Sequence, residues 1–454
     1  MATQRRLPEG TSTMAVNPST AADRGQRLGL RLIAKVGGMP ALADPTVRGR
    51  VQRILGRGAH TGFRAQVVVG RAFTRVRGAG PATRPGPTRR CGVYDLTPSE
   101  DQQQLQQVAR ELADEVIRPA GGVADADRAV PPEARRAMQE MGLTLIGVPE
   151  VLGGIAEERS AVTGVLVLEQ LARGDMGIAV AHMATASVAT ALALYGDGDQ
   201  QATYLPHFTG AEPVAAAALA LQEPQVLFDP LALTTTAVAQ GDSLVLDGTK
   251  ALVVGAEAAE LLVVSAMFEG EARLVIVERT TDGITIEDDP AMGLRAARTG
   301  RVVLRNVTVP RANLLGTADD HRDAVRRGRV AWAAAACGTG RAVLDQVVGY
   351  VTERQAFGEP IGQRQAVAFI VADIAIELDG LRLATLKAAS RLDAGIDAAQ
   401  LVAEVRALTA THAATIGSHA VQLLGGHGFV KDFDNERWFR DLRGAGVLEG
   451  TLLV

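Results

Sequence analysis

The sequence predicts an α+β protein in which one sheet domain separates two helical regions. Apolar residues recur at three- and four-residue spacing in the first folded segment and again in the last third of the chain. Between these regions, short runs rich in Val, Leu, Ile and Thr are separated by turn signals without long helices. We therefore predict an N-terminal helical domain (94–210), a middle antiparallel β domain (211–318) and a C-terminal bundle of the four-helix type (319–454).

Composition indicates a globular protein from a reducing compartment. The 454 residues are 47% hydrophobic, enough to bury a sizeable core. Cys91 and Cys337 are far apart and outside any CxxC pattern, which excludes a disulfide framework and a cysteine-rich metal site. No apolar run approaches the roughly 18 residues that span a bilayer, and the start has no signal-peptide core. We expect a cytoplasmic protein.

Residues 1–93 form a basic, partly helical extension and linker. They carry 17 basic residues against three acids, a local excess of 14 positive charges in a chain of net charge −4. The remaining chain is acidic, which argues against nucleic acid as a partner. We expect the extension to dock on the acidic body, with contact to a membrane surface or another protein, or an organellar transit peptide, as alternatives.

The first domain is predicted to open with a capping box and to be entirely helical. Thr97 is the expected N-cap, Pro98 the first helical residue and Glu100 the partner of the cap. Helical spacing follows from Leu105 onward and returns in four later segments. These segments are 132–141, 162–171, 179–194 and 199–208.

The spacing of apolar residues changes twice after the first domain, and these changes predict the middle and C-terminal domains. The short runs between 213 and 309 predict strands, including those at 243–247, 260–265, 273–277 and 301–305, with turns at 240–242 and 247–248. Long helical segments return at 319–356, 363–394 and 398–424. Because the strands are not separated by helices, we predict hairpins rather than βαβ units.

Common nucleotide, metal and hydrolase motifs do not fit the chain. The glycines at 338 and 340 lie inside a helical pattern with no strand before them, unlike a Rossmann turn. The seven histidines show no HExxH or other compact metal spacing, and no GxSxG turn occurs. We therefore expect no metal site and no serine hydrolase.

Several separated motifs occur in a distinctive order. They are LEQLARG at 168–174, VPRANLLG at 309–316, ERQAFGEPIGQRQ at 353–365, QLLGGHGF at 422–429, ERWFRD at 436–441 and LEGT at 448–451. With these motifs and the helix–sheet–helix order, residues 94–454 resemble the flavin-dependent acyl-CoA dehydrogenase family. The resemblance implies that family's fold, FAD as cofactor and an acyl-CoA substrate.

The resemblance also implies two catalytic residues. Glu449 matches the base that removes a proton from the carbon next to the thioester carbonyl, chemistry that needs a positioned carboxylate in a water-excluded pocket. Capping or surface pairing is the alternative role for Glu449. Arg329, 25 residues before Arg354, matches an arginine near that base, although it lies in the arginine-rich run 326–329 and an ordinary ion pair is the alternative.

A second set of residues matches the family's cofactor contacts. Arg354, Phe357 and Gln365 correspond to side chains that reach across a subunit interface to the ADP half of FAD. Gln422 and Gly426 match further adenosine contacts, and Gln222 and Thr451 are candidates on the subunit's own flavin side. The resemblance therefore implies a homodimer or homotetramer, with a hetero-oligomer as the alternative.

The chain departs from the family where the flavin ring would sit. Leu252 and Val254 stand where the family has an aromatic and a threonine that contact the flavin, and Leu453 stands where it has a glutamine. The segment 221–229, LQEPQVLFD, lacks the small residues that cradle the cofactor.

These departures leave three functions open. The first is desaturation of an acyl-CoA to a trans-2-enoyl-CoA, with electrons passing to an electron-transfer flavoprotein. The second is a subunit that completes a partner's FAD site in a hetero-oligomer. The third is a non-catalytic acyl-CoA-binding or scaffold relative. The first is the function that we expect, and the sequence does not specify the length or branching of the acyl group.

Overall fold

The computed structural model describes residues 97–156, 159–209 and 216–453. The basic extension, its expected helices, its expected docking on the body and the alternative membrane contact lie outside the described residues. Within them the elements follow the order helices, sheet, helices, so the predicted α+β architecture is confirmed.

The N-terminal part is helical, as expected. Its helices are α1 (Glu100–Leu112), α2 (Arg118–Asp127), α3 (Pro132–Glu140), α4 (Ala161–Gly174), α5 (Met176–Tyr195), α6 (Gly198–Tyr204) and α7 (Pro206–Thr209). One π-helical turn, Ala113–Ile117, joins α1 to α2. The single helix predicted at 199–208 is divided in two, because Pro206 begins a new helix.

The capping box that opens α1 lies two residues later than predicted. The Ser99 hydroxyl accepts a hydrogen bond from the Gln102 backbone N–H at 3.2 Å. The Gln102 side-chain oxygen accepts one from the Ser99 N–H at 3.0 Å. Both Thr97 with Glu100 and Ser99 with Gln102 have the required spacing, because Glu and Gln serve equally at the third helical position. The prediction of Thr97 as the N-cap is therefore wrong.

Helix α5 corrects the statement that no segment is long and apolar enough to cross a membrane. Its 20 residues have a mean hydropathy of 1.6 over the most apolar window, and 83% of that window is buried inside the fold. Such burial on all sides is typical of a core helix.

The middle domain is an eight-stranded sheet in the order β6-β7-β3-β2-β4-β5-β8, with β1 paired to β4. The strands are β1 (Ala217–Ala220), β2 (Thr236–Gln240), β3 (Ser243–Val253), β4 (Leu261–Phe268), β5 (Glu271–Glu278), β6 (Ile284–Asp288), β7 (Gly300–Pro310) and β8 (Leu314–Leu315).

Two sheet features differ from the sequence prediction. The sheet is mixed rather than purely antiparallel, because β1 runs parallel to β4, and β2 also meets β4 at one parallel pair. A chain that enters from the helical domain is not bound by hairpin geometry, so its direction is free. The turn expected at 247–248 is instead a bulge inside β3, where Gly248 has φ +152°.

The C-terminal part is a helical bundle around one long helix. Its helices are α8 (Ala318–Glu353), α9 (Gln365–Asp393), α10 (Ala399–Leu424) and α11 (Asn435–Ala445). A small hairpin of β9 (Gln355–Ala356) and β10 (Glu359–Pro360) connects α8 to α9. Helix α8 packs against α4, α9, α10 and α11, so its buried face joins the two helical domains. The residues after α11 cross this junction.

Candidate active site

The segment after α11 runs through the junction of the three domains. Two glycines let it pass close to other backbones: Gly450 has φ +95°, a left-handed conformation that favours glycine, and a Cβ on Gly328 of α8 would lie 2.2 Å from the Thr451 carbonyl oxygen. Leu452 donates its N–H to the Ser187 hydroxyl of α5 at 2.8 Å. The segment is therefore anchored immediately after Glu449.

Glu449 is a buried carboxylate with unequal oxygens. Its side chain is 3% exposed, and Oε1 lies 3.0 Å from Nε of Arg329 and 3.4 Å from Nη2 of Arg406. Oε2 is buried and has no hydrogen-bond partner within the described residues. One oxygen is thus fixed by two guanidinium groups, and the other is available to a bound molecule.

The structure brings Arg329 and Glu449 together, as the resemblance implies. The two residues are 120 positions apart in sequence, and the Arg329 side chain extends from α8 to the segment after α11. The Arg329 side chain remains 25% exposed. The ion pair is therefore buried at its Glu449 end and reaches solvent at its Arg329 end.

Arg406 is the site residue that the sequence analysis missed. It lies on α10, donates from Nη1 to the Ala445 carbonyl oxygen at 2.8 Å and reaches Glu449 with Nη2. Burial lowers the pKa of Arg406, against the opposing effect of the Glu449 charge. A signal was present in the sequence, because Arg406 lies between Val402, Val405 and Thr409 on the buried side of the helix.

Gln222 contacts the candidate base instead of lying apart from it. Its Oε1 accepts a hydrogen bond from the Glu449 backbone N–H at 3.1 Å. Its Nε2 donates no hydrogen bond to any described residue, so the two N–H donors of the amide remain for a ligand. The Thr451 hydroxyl lies 3.5 Å from the Gly328 carbonyl oxygen in the interior, where the residue is 2% exposed.

The five residues matched to the ADP half of FAD are exposed. They are Arg354, Phe357, Gln365, Gln422 and Gly426. Tyr350 joins the two segments that carry them: its carbonyl accepts from the Arg354 N–H at 2.9 Å, and its hydroxyl donates to the Leu424 carbonyl oxygen at 3.3 Å. These five residues therefore form one exposed surface, called the ADP surface below.

That surface has the donor chemistry of a nucleotide diphosphate site. Phe357 is 93% exposed with φ +56°, and the Arg364 guanidinium lies 5.2 Å from its ring centre. Apart from the adjoining residues, no atom of the described part of the chain lies within 4 Å of a Cβ built on Gly425 or Gly426, so a ligand can approach the backbone there. Guanidinium groups, side-chain amides and open glycine backbone together suit a diphosphate and an adenine.

The residues expected to border the flavin ring are apolar. Leu252 has φ +50° and donates its N–H to Asp289 Oδ2 at 3.0 Å. Val254 is 2% exposed and packs into the core shared by the helical domains, as does Leu453. Near the base, the polar donor left for a flavin ring is the Gln222 Nε2, together with main-chain amides. The residues present therefore fit FAD well at its ADP end and sparsely at its ring.

Domain models of the acyl-CoA dehydrogenase family match the chain in order. The N-terminal domain matches residues 99–212, the middle domain residues 218–307 and the C-terminal domain residues 321–453. The mitochondrial short-chain specific acyl-CoA dehydrogenase of Bos taurus is 32% identical over 364 residues, covering 78% of this chain and 87% of the relative.

Solved structures agree with the sequence matches. Butyryl-CoA dehydrogenase from Megasphaera elsdenii is 26% identical with a TM-score of 0.72, covering 79% of this chain and 96% of that one. A chain of the structure described as the electron transferring flavoprotein of Acidaminococcus fermentans is 28% identical, with the same TM-score and coverage. The chain therefore belongs to the acyl-CoA dehydrogenase family of FAD-binding oxidoreductases.

Proposed function

We propose that this protein desaturates an acyl-CoA thioester to a trans-2-enoyl-CoA, with Glu449 removing the α proton. The observation that carries the proposal is the buried Glu449 carboxylate, which has one oxygen held by Arg329 and Arg406 and the other without a partner. A fixed carboxylate with one free oxygen is what abstraction of a carbon-bound proton requires. FAD, when bound, supplies the acceptor for the hydride that leaves the β carbon.

The chain's own residues position the base and exclude water. Oε2 of Glu449 receives the proton, while the two arginines prevent the carboxylate from rotating away. Leu448 and Leu452 flank the base and are 4% and 0% exposed. This apolar enclosure strengthens the electrostatic interactions of the carboxylate with substrate and arginines.

We propose that Arg354, Phe357, Gln365, Gln422 and Gly426 bind the ADP half of a FAD molecule held mainly by a second subunit. Their exposure supports this assignment. On the subunit's own flavin, Gln222 donates from Nε2.

An exposed apolar stripe on α9 supports a homo-oligomer. Phe369, Ile376 and Leu383 are 59%, 70% and 50% exposed. They are seven residues apart, so they align along one side of the helix, as in a helix–helix contact between subunits. A second copy of this chain is the occupant that we propose for this face, as a dimer or tetramer.

We propose a short acyl group as the substrate. The relatives named above act, by their names, on short-chain acyl-CoA and butyryl-CoA. In this chain, Leu452 and Leu453 line a narrow apolar cleft between α4 and α5, beside Met183, that has room for about one water molecule. Electrons would then pass to an electron-transfer flavoprotein, a partner suggested by the structural relative that carries that description.

A second candidate function is favoured by the apolar residues at the ring position. Leu252 and Val254 remove two ring contacts while the exposed ADP surface is complete. That combination suits a subunit that completes a partner's FAD site. A non-catalytic acyl-CoA-binding relative is the third candidate.

The proposal is tested by purifying the protein expressed alone, quantifying released flavin and measuring enoyl-CoA formation from acyl-CoAs of increasing length. We expect about one FAD per chain, product formation, and loss of product in Glu449→Gln with flavin content unchanged. Glu404→Gln on the exposed side of α10 is the matched control and should behave as wild type. A colourless protein that stays inactive when FAD is added would support the second or third candidate, and turnover by Glu449→Gln would exclude that residue as the base.

A further inference from the structure

Lys250 lies fully buried on β3, beside the segment 221–223 that follows β1 and contains Gln222. Its side chain is 0% exposed, and its three N–H donors are all used. They reach the Leu221 carbonyl oxygen at 3.2 Å, Glu223 Oε1 at 2.8 Å and Ser265 Oγ at 3.0 Å. The lysine therefore holds the two residues on either side of Gln222.

Glu223 is fixed just as completely. Its two oxygens accept hydrogen bonds from the backbone N–H groups of Thr234 and Thr235, at 2.7 and 2.9 Å, in addition to the Lys250 ammonium. Burial alone would raise the pKa of Glu223, but the Lys250 charge and the hydrogen bonds lower it to about 2. Burial lowers the pKa of Lys250 to about 8, against the opposing effect of Glu223. Both groups are thus charged at neutral pH.

Gln222, the residue between these anchors, is bonded to the active-site segment. Its backbone carbonyl accepts from the Ala251 N–H at 2.9 Å, next to Lys250. Its side-chain oxygen accepts from the Glu449 N–H at 3.1 Å. A continuous path of contacts therefore runs from Lys250 through Gln222 to the backbone of Glu449.

We propose that Lys250 and Glu223 are positioning residues that act through Gln222 to hold the backbone of Glu449 in place for proton abstraction. Arg329 and Arg406 fix the carboxylate, whereas this pair fixes the main chain that carries it. The inference rests on the proposed function for its catalytic consequence, but the contact itself can be measured without turnover.

A buried ion pair is weak evidence for stability, because desolvation offsets much of its attraction. Conformational specificity is a better account of this pair, since its removal would free the residues flanking Gln222. The pair of Arg382 with Glu169 provides a matched comparison: Glu169 is 5% exposed and 2.9 Å from Arg382 Nε, but neither residue contacts Gln222 or Glu449.

The test is hydrogen–deuterium exchange, followed by mass spectrometry, on the peptide spanning residues 446–453 of the full-length protein. We compare wild type with Gln222→Ala, Lys250→Met, the double variant Gln222→Ala/Lys250→Met, and the control Glu169→Gln. If Lys250→Met does not fold, Glu223→Gln/Lys250→Met, which removes both charges, replaces it. Turnover is measured on the same samples.

We expect Gln222→Ala and Lys250→Met each to raise exchange of the Glu449 amide about tenfold, a typical consequence of losing one buried hydrogen bond. Lys250→Met should add less than twofold in the Gln222→Ala background, and Glu169→Gln should leave this peptide unchanged. If the protein turns over acyl-CoA, kcat should fall in the same non-additive way, with KM changed less.

Three results would overturn the proposal. They are unchanged exchange in Gln222→Ala, unchanged exchange in Lys250→Met, or effects of the two substitutions that multiply in the double variant. A protein without turnover but with the expected exchange pattern would contradict the proposed function alone, because exchange reports the backbone contact and not the chemistry.

Discussion

Substitution of Arg406 by Met tests the two-arginine contact on Glu449. Arg406 Nη2 is 3.4 Å from Glu449 Oε1, and the two side chains are 15% and 3% exposed. At an effective dielectric constant of about 20, opposite unit charges at this separation attract by about 5 kcal/mol. In the wild type, the cost of burying the Arg406 guanidinium and its repulsion by Arg329 offset much of that attraction. Substitution by methionine removes these two unfavourable contributions together with the attraction.

We therefore expect a net loss of about 1–3 kcal/mol of transition-state stabilisation, or about 5- to 150-fold in kcat. The assay is the initial rate of enoyl-CoA formation over a range of acyl-CoA concentrations, with flavin content measured for each variant. Arg406→Lys keeps the charge but not the forked geometry, so its kcat should lie between those of wild type and Arg406→Met.

Arg341→Met is the matched control. Its ion pair with Asp379 has a similar length, 3.1 Å, but the side chains are 41% and 65% exposed, so its loss should change kcat by less than about twofold. Wild-type kcat in a folded, flavin-loaded Arg406→Met variant would contradict the role of Arg406 in holding the Glu449 carboxylate, because it would mean that Arg329 alone positions the base.

Three further predictions concern the contact of Gly328 with the segment after α11, the buried carboxyl group of Asp441 and the exposed ADP surface. Gly328→Ala should lower the free energy of unfolding by more than about 2 kcal/mol in denaturant melts, because its Cβ would collide with the Thr451 carbonyl oxygen. Burial and the nearby Asp175 charge raise the pKa of Asp441 to about 7, so the folded state binds the proton more tightly and stability should fall as pH rises from about 4 to 7. Asp441→Asn should remove that slope in melts across this range; an unchanged slope would contradict the assignment. Arg354→Ala should lower FAD occupancy or loosen the oligomer, measured by released flavin and light scattering, whereas normal values for both would exclude the interface role.

The kind and order of the elements could be predicted because they depend on local spacing. The apolar period of 3.6 residues marked α4, α8, α9 and α10, and the short β-branched runs marked β3, β4, β5 and β7. The N-cap of α1 was predicted wrongly because two residue pairs, Thr97 with Glu100 and Ser99 with Gln102, have the spacing of a capping box. The position of Glu449 beside Arg329 was also predicted, but from motif resemblance rather than from spacing.

Local sequence patterns were enough to predict the α+β architecture, and the motifs indicated the family and the residue types at the candidate site. The three-dimensional fold was needed to show that Arg406 shares Glu449 with Arg329, that Gln222 bonds the backbone of Glu449, and that β1 joins the sheet in parallel. These contacts connect residues tens to hundreds of positions apart, and no local period encodes them. They arise because α8, α10, β1 and the C-terminal segment pack at one junction, where burial favours the pairing of charged and polar groups.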